Sequence, residues 1–394
     1  MIANMAFKRT ALSASEIKKI RDRAMNAIAP LKPADEASRN VAGTTRTNAG
    51  EKLPDYYVVY FLLVELLHFR FLGRGEKVAW TIPVDYNGYD ALIEHRKMGL
   101  GIFSADELVA EDIVKAVQRG VGVATPFVDH LAAEAVRGSQ LNVRNNSAWL
   151  INRYRYLRDQ FRAKAAAAEA YKDEVTKIER TLPNGTKFSS YSWPGDEHRR
   201  EAVWLGIAAI DAFFSWTEHV FVHVAILRTK VKTGEQVAEL ATAAWSDKVK
   251  CAVGLADPNI KSLFDELLVT RRQIRNFMAH GAFGKDGEAF EFHSGAGAVP
   301  VNLTDAAGRN RFSMRTGPSF DASRAIQTAE LFIGTLWAGD LAPAQIYIEE
   351  AELPSILTHA SDGTYSTAMD SVENMESFVN DLVRQMDDAQ NMDW

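Results

Sequence analysis

Residues 257–281 read DPNIKSLFDELLVTRRQIRNFMAHG. Asp257 is the kind of residue that caps a helix N-terminus, and Pro258 suits the first helical position. Apolar residues then recur at helical spacing, at Ile260, Leu263, Phe264, Leu267, Leu268, Ile274 and Met278. Gly281 suits the left-handed residue that follows a helix end. The stretch therefore predicts one amphipathic helix that ends at Gly281.

The neighbouring segments predict a helical bundle around this helix. Residues 197–227 are apolar on nearly all sides, as in a helix at the centre of a bundle. Further helices are predicted over residues 234–254 and 321–337, and a small β-hairpin is predicted over residues 288–303. The predicted fold class is mainly α.

The first half of the chain predicts a mostly helical N-terminal domain. Ser104 and Glu107 have the spacing of a capping box ahead of a helix. The predicted helices cover residues 15–28, 54–71, 105–118, 125–136 and 148–180, and residues 77–103 supply at most one hairpin. Pro183-Asn184-Gly185 predicts a turn and a domain boundary near residue 190. Three regions are expected: 1–190, 191–345, and an acidic helical tail, 346–394.

Composition restricts the possible functions. The chain of 394 residues has a net charge of −6, so nucleic acid would bind a local patch rather than the whole surface. A single cysteine, Cys251, excludes an intrachain disulfide and favours a reducing compartment. Residues 56–72 are apolar but carry Glu65, His68 and Arg70, which predicts a buried helix rather than a membrane span. We therefore expect a cytoplasmic protein that does not associate with membranes.

The end of the predicted helix contains an arginine, an asparagine, three further residues and then histidine and glycine. This pattern, carried by Arg275, Asn276 and His280, resembles the signature of the HEPN superfamily. The resemblance extends over residues 197–340 and implies a HEPN-like bundle. It further implies metal-independent cleavage of RNA by a homodimer in which two signature helices form one composite site. Arg275 and His280 match the catalytic pair, and Asn276 matches the residue that follows the arginine.

The chemistry of RNA cleavage agrees with this set of residues. Attack by the 2′-hydroxyl needs a proton acceptor, a proton donor and cations at the phosphate, which histidine and arginine supply. Asn276 and His280 share one helix face with Arg272, while Arg271 and Arg275 form the adjacent ridge. We therefore expect Arg271 and Arg272 to contact RNA.

The apolar helix predicted over residues 197–227 carries an acidic residue that is a candidate for this site. Asp211 lies on one stripe with Ser215 and Glu218, and the family often has an acid at this point of the bundle. Asp211 is predicted to orient Arg275 or to hold the imidazole of His280 in one tautomer. An ordinary buried salt bridge is the equal alternative.

Two further groups of residues each allow a functional and a structural interpretation. Arg311 and Arg315, with Arg309 and Phe312, follow the hairpin and predict either an RNA-binding patch or solvated loop charges. His219 and His223 are spaced like a metal pair, but no third ligand is identifiable and a structural role is favoured. Neither a metal nor a cofactor is therefore predicted.

The leading hypothesis is an endoribonuclease that acts on self or phage RNA, a role that the resemblance alone implies. One rival is a non-catalytic module that binds RNA or nucleotide in the same pocket. A second is an interaction subunit that regulates a partner enzyme such as a nucleotidyltransferase. The acidic tail is either a packed surface helix or a regulatory lid. Arg144-Asn145-Asn146 imitates the start of the signature, but Trp149 stands where its histidine would be.

Overall fold

The computed structural model describes residues 12–34, 44–280, 291–292, 301–303, 312–313 and 321–392. Helices dominate, which confirms the predicted mainly α class. Contacts between backbone positions divide the chain into two compact units, with a boundary after Leu141 and not near residue 190. The second unit contains residues 142–232 and 236–376, while residues 233–235 and those from 377 onward belong to the first. The tail is thus shared between the units.

The first unit combines helices with an antiparallel sheet. Its helices include α1 (Ala14–Ile28), α2 (Tyr56–Tyr60, continued by the π-helical turn Phe61–Leu66) and α3 (Glu107–Arg137), and the tail helix Val372–Asn391 belongs to it from Ser377 onward. Its strands are β1 (Leu31–Pro33), β2 (Thr45–Arg46), β3 (Val78–Tyr86), β4 (Tyr89–Arg96) and β5 (Gly99–Ser104). The strand order is β1-β3-β4-β5-β2, with every pair antiparallel. The sheet exceeds the single hairpin that was predicted over residues 77–103, while helices still contribute more residues than strands to this unit.

The sheet forms because its central strands share one apolar face. Ile93 pairs with Ile82 on one side and Ile102 on the other, and all three side chains are buried. Asn87 and Gly88 have φ angles of 54° and 87°, the conformation of a tight turn between antiparallel strands. The buried face belongs to the same core cluster as apolar residues of α1, α2 and α3. Apolar burial therefore holds the sheet and helices of this unit together.

The start of α3 differs from the predicted capping box. Asp106 is the N-cap residue and accepts a hydrogen bond of 2.8 Å from the second backbone N–H beyond it. Ser104 instead accepts from the N–H of Asp106. Glu107 accepts from the N–H groups of Asn48 and Ala49, so its carboxylate fixes a distant segment and not its own helix end. The two helices predicted here are one continuous helix.

The second unit is built mainly from helices. Its larger helices are α4 (Ser147–Ala170), α5 (Pro194–Leu227), α6 (Gly234–Thr242, from Gln236 onward), α7 (Trp245–Ala252), α8 (Pro258–His280) and α9 (Ala322–Leu336). Shorter ones follow: α10 (Ala342–Gln345, continued by the π-helical turn Ile346–Glu350), α11 (Leu357–Asp362), α12 (Thr364–Ala368) and the first turn of α13 (Val372–Asn391). The helix predicted over residues 234–254 is thus divided into α6 and α7.

Short strands complete the second unit. They are β6 (Asn142–Val143), β7 (Thr176–Thr181), β8 (Lys187–Ser192), β9 (Glu291–Phe292), β10 (Val301–Leu303), β11 (Phe312–Ser313) and β12 (Ser355–Ile356). The hairpin predicted after α8 is present as β9 and β10, and β11 adds a third strand. The helix predicted over residues 148–180 ends at Ala170, because β7 and β8 form a hairpin around Gly185, whose φ is 83°. The turn predicted at this glycine is confirmed.

Helix α5 is the centre of the second unit. Helices α4, α7 and α9 pack along it, which explains why α4 belongs to this unit. Phe213 and Phe221 contact Phe332 of α9, and the indole N–H of Trp216 donates to the hydroxyl of Ser147 at 3.0 Å. Among the helices of the described residues, α5 is the one long and apolar enough to cross a membrane, but 67% of its apolar window is buried. A buried core helix can have the same length and apolar composition.

Candidate active site

Helix α8 carries the predicted signature and runs from Pro258 to His280, as predicted, while the predicted end residue Gly281 lies outside the described residues. The Asp257 carboxylate accepts a hydrogen bond of 2.8 Å from the N–H of Asn259, which caps the helix N-terminus as predicted. The buried positions of the helix are Ile260, Phe264, Leu267, Thr270 and Ile274. These recur at helical spacing, so one face of α8 is embedded in the second unit up to Ile274.

Contacts to two neighbouring helices anchor α8. The ring of Phe264 stacks on Trp245 of α7, with centroids 5.5 Å apart and planes inclined by 6°. The carboxylate of Glu266 accepts hydrogen bonds from Arg324 at 2.7 Å and from Thr328 at 2.9 Å, both on α9. The helix is thus fixed along its first half by aromatic packing and by a charged hydrogen-bond pair.

The last turns of α8 present two predicted site residues to solvent. Arg272 and Arg275 are exposed, and among the described residues no carboxylate lies within ion-pair distance of either. Helical spacing places the backbone positions 276 and 280 on the side of Arg272. The side chains of Asn276 and His280 lie outside the described residues, as do Arg311 and Arg315. The structure therefore locates the guanidinium groups of the site and the backbone of its histidine.

Arg271 does not have the position that was predicted for it. Its guanidinium pairs with Glu218 of α5 and lies over two rings, 5.2 Å from the centroid of Phe214 and 5.8 Å from that of Trp245. A guanidinium held between a carboxylate and aromatic faces is fixed by packing within the unit. Arg271 is therefore a structural contact of α8 in this state and not an exposed RNA ligand.

Glu218 is the acid of α5 that contacts α8. One carboxylate oxygen pairs with Arg271, and the other accepts from the ammonium of Lys248 of α7 at 2.8 Å. The Lys248 side chain is only 4% exposed. Burial alone would raise the pKa of Glu218, but the hydrogen bonds from Lys248 and Arg271 outweigh it and lower the pKa. Glu218 lies on the predicted stripe of Asp211, but no role was predicted for it from the sequence.

Asp211, the predicted orienting acid, is on the surface. Its side chain is 65% exposed, and its ion-pair partner is Arg153 of α4 at 4.0 Å. In this structure it contacts neither Arg275 nor a residue of the described part of α8, and it is not a buried salt bridge either. Asp211 and Glu218 share one stripe of α5, as predicted. Helix α8 contacts α5 one to two turns beyond Asp211, at Phe214 and Glu218.

His219 and His223 form a buried polar network and not an isolated pair. The backbone N–H of Asn146 donates to Nε2 of His219 at 2.9 Å, and the same nitrogen lies 3.1 Å from Nε2 of His223. Nδ1 of His223 lies 2.7 Å from the Ser355 hydroxyl. Within the described residues there is no cluster of three or more potential metal ligands. The network joins α5 to β12 and to the start of α4, in agreement with the favoured structural role.

The protonation of this network predicts how stability depends on pH. Burial lowers the pKa of His219 to about 4 and that of His223 to about 3. The unfolded chain therefore binds protons at higher pH than the folded protein, so stability falls as the pH drops below the usual histidine value. We expect a loss of about 1 kcal/mol per histidine between pH 7 and pH 5.5, measured from urea unfolding midpoints.

The matched control for this pH dependence is His219→Gln, which removes one titrating group from the network. The variant should show a shallower change in unfolding free energy between the two pH values. Equal slopes for the variant and the parent protein would contradict the assignment of this pH dependence to the histidine network.

Comparison of the chain with protein-family models, with curated proteins and with solved structures finds no match. The HEPN resemblance therefore rests on the signature residues and on the order of the predicted elements.

Proposed function

We propose that this chain is an endoribonuclease that cleaves RNA without a metal ion, as a homodimer in which two α8 ends form one site. The observation that carries the proposal is the exposure of Arg272 and Arg275 at the end of a helix whose other half is firmly anchored. The described helix extends to His280, so a histidine backbone lies about one and a half turns from Arg275 and a little over two turns from Arg272. This is the set of groups that phosphodiester cleavage requires.

The proposed reaction is an attack by the neighbouring 2′-hydroxyl on the phosphorus. One imidazole removes the 2′-hydroxyl proton as the new phosphorus–oxygen bond forms. The bond from phosphorus to the 5′-oxygen then breaks, and a protonated imidazole donates a proton to that leaving oxygen. The products are a 2′,3′-cyclic phosphate and a 5′-hydroxyl. Because α8 supplies one histidine per chain, His280 from each of two chains fills the roles of base and acid.

The arginines stabilise the charge that develops on the phosphoryl oxygens. A guanidinium forms paired hydrogen bonds with two oxygens of one phosphate, which a point charge does not. Arg275 serves this role next to His280, and Arg272, one turn earlier, binds the neighbouring phosphate. Asn276 supplies a neutral donor beside them. The roles assigned to Asn276 and His280 follow from their positions on the helix.

The test is incubation of the purified chain with mixed RNA in the presence of a chelator. We expect cleavage to continue, because the proposed groups are nitrogen acids and bases that need no metal, and we expect 2′,3′-cyclic phosphate ends. End-group analysis after separation of the fragments gives the measurement, with the His280→Ala variant as control. Loss of cleavage in chelator with recovery on adding a divalent ion, or 3′-hydroxyl ends, would contradict the mechanism.

A second function is favoured by one observation. Asp211 is exposed and pairs with Arg153, so no acid of the described residues is in contact with Arg275. A pair of exposed arginines without an orienting acid also suits a module that binds RNA or nucleotide and does not cut. RNA that is retained intact by the wild-type chain, and released when Arg272 and Arg275 are replaced, would establish this alternative.

The biological setting is proposed from the resemblance alone. An RNA-cleaving effector of this class degrades self or phage RNA in the cytoplasm, as a toxin or in abortive infection. The first unit then recognises the target or restrains the activity of the second.

A further inference from the structure

The first unit contains an aromatic groove that the sequence analysis did not identify. The groove has a volume of about 390 Å³ and lies at the N-terminal end of α2 and the start of β3. Its main lining residues are Tyr56, Tyr57, Tyr60, Phe71, Arg74 and Trp80. Aromatic side chains at this density usually form a core, so their exposure in a groove requires an explanation.

The rings of the groove are held in fixed orientations. His95 of β4 covers one face of the Tyr56 ring, with centroids 4.1 Å apart and planes inclined by 10°, and Trp80 supports His95 from 5.7 Å. Tyr60 packs against both Phe71 and Trp80, at 5.5 Å and 5.7 Å. Tyr56 nevertheless remains 49% exposed and Phe71 42% exposed. The groove therefore offers pre-oriented rings, which lowers the entropy cost of binding a flat ligand.

Charge around the groove indicates what kind of ligand it accepts. Among the described residues that line the groove, Arg74 is the one with a charge. The exposed loop before β3 carries Arg70, Glu76 and Lys77, and the acids Asp55 and Glu65 lie near Tyr57 and Tyr60. Cations next to stacking rings match a ligand with a flat aromatic group and an adjacent negative charge. This is the combination found in proteins that bind unpaired nucleic-acid strands. It disfavours a cage for a methylated ammonium ion, which a neighbouring guanidinium would repel.

We infer that this groove binds an unpaired base of single-stranded RNA, stacked on Tyr56 opposite His95, with the adjoining phosphate at Arg74. The choice of RNA rests on the proposed function, but the groove itself does not depend on α8. The first unit thus contributes substrate binding through residues other than those that are proposed to cut.

The experiment measures binding of a fluorescently labelled single-stranded RNA of mixed sequence to the full chain by anisotropy. The His280→Ala protein serves as the parent, so that cleavage does not consume the probe. Tyr56→Ala and Phe71→Ala should each weaken binding about tenfold, the usual effect of removing one stacking partner. Tyr56→Phe keeps the ring and should bind like the parent. Tyr89→Ala removes a tyrosine of the same unit that is 57% exposed outside the groove, and should also bind like the parent.

Two results would overturn the inference. One is equal affinity of the parent and the alanine variants for the RNA, or no binding by the parent. The other is a labelled proline-rich peptide that binds the parent through these same rings while the RNA does not, because aromatic grooves also accept that conformation. Thermal unfolding of each variant checks that the fold is kept. Cleavage by the wild-type chain is measured separately. RNA that is bound through the groove but not cut would contradict the proposed function and leave the groove inference standing.

Discussion

Replacing His280 with alanine should lower the rate of RNA cleavage by about a hundredfold to ten-thousandfold, the range for loss of a general acid or base. Arg275→Ala should also abolish cleavage, because the charge that develops at the phosphate loses its stabilising cation. The measurement is the single-turnover rate on one RNA at saturating protein. Lys261→Ala is the matched control, because Lys261 lies on the exposed side at the opposite end of α8, paired with Asp265.

The same variants test whether two chains share one site. A mixed dimer of one wild-type chain and one His280→Ala chain should stay far below half the wild-type rate, because the single composite site lacks one of its two imidazoles, whereas chains that work alone would keep half the rate. Size-exclusion chromatography of the active wild-type fraction supplies the second readout. A fully active monomer would show that each chain works alone.

Replacing Glu218 with alanine should destabilise the second unit by about 3 kcal/mol, the lower end of the range for breaking a buried ion pair. The change leaves the Lys248 ammonium, 4% exposed, and the Arg271 guanidinium without their shared carboxylate. A desolvated ammonium without a partner is costly, and the cost at Lys248 dominates the expected loss, because Arg271 is 32% exposed and keeps contact with water. Urea unfolding at neutral pH gives the measurement.

Asp211→Ala is the matched control on the same stripe of α5. Its carboxylate is 65% exposed and lies 4.0 Å from Arg153, so its loss should cost less than about 1 kcal/mol. Similar losses for the two variants would contradict the view that Glu218 is the acid that joins α5 to α8.

The signature helix was predictable because its signals are local. The Asp257-Pro258 cap and the apolar spacing up to Ile274 depend only on neighbours along the chain, and the structure keeps all of them. The same holds for the turn at Gly185, where asparagine and glycine supply the conformation that a hairpin needs.

Most of the sheet of the first unit was missed, because the sequence predicted at most one hairpin over residues 77–103, where β3, β4 and nearly all of β5 lie. The signal that could have identified it is Asn87-Gly88, which closes the turn between β3 and β4 and favours antiparallel pairing. The edge strand β1 has no comparable local signal. It pairs with β3 across some fifty residues, from Leu31 to Tyr86, and only tertiary contacts decide such a pairing.

The contacts of the candidate site were predicted less well than its helices. Asp211 and Glu218 lie on one stripe, and the sequence does not determine which turn of α5 meets α8. Arg271 and Arg275 likewise share a ridge, yet Arg271 turns to Glu218 while Arg275 stays in solvent. Helical periodicity predicts on which face of a helix a residue lies. Its contact partner depends on where the two helices cross, which the sequence does not show.

Different residues of α8 anchor the helix and face solvent. The anchoring contacts are at Phe264, Glu266 and Arg271, and the exposed cations are Arg272 and Arg275. Because the two tasks use different residues, substitutions in the exposed set are nearly neutral for folding. The exposed residues of this helix end can therefore be exchanged while the contacts that anchor the helix are retained.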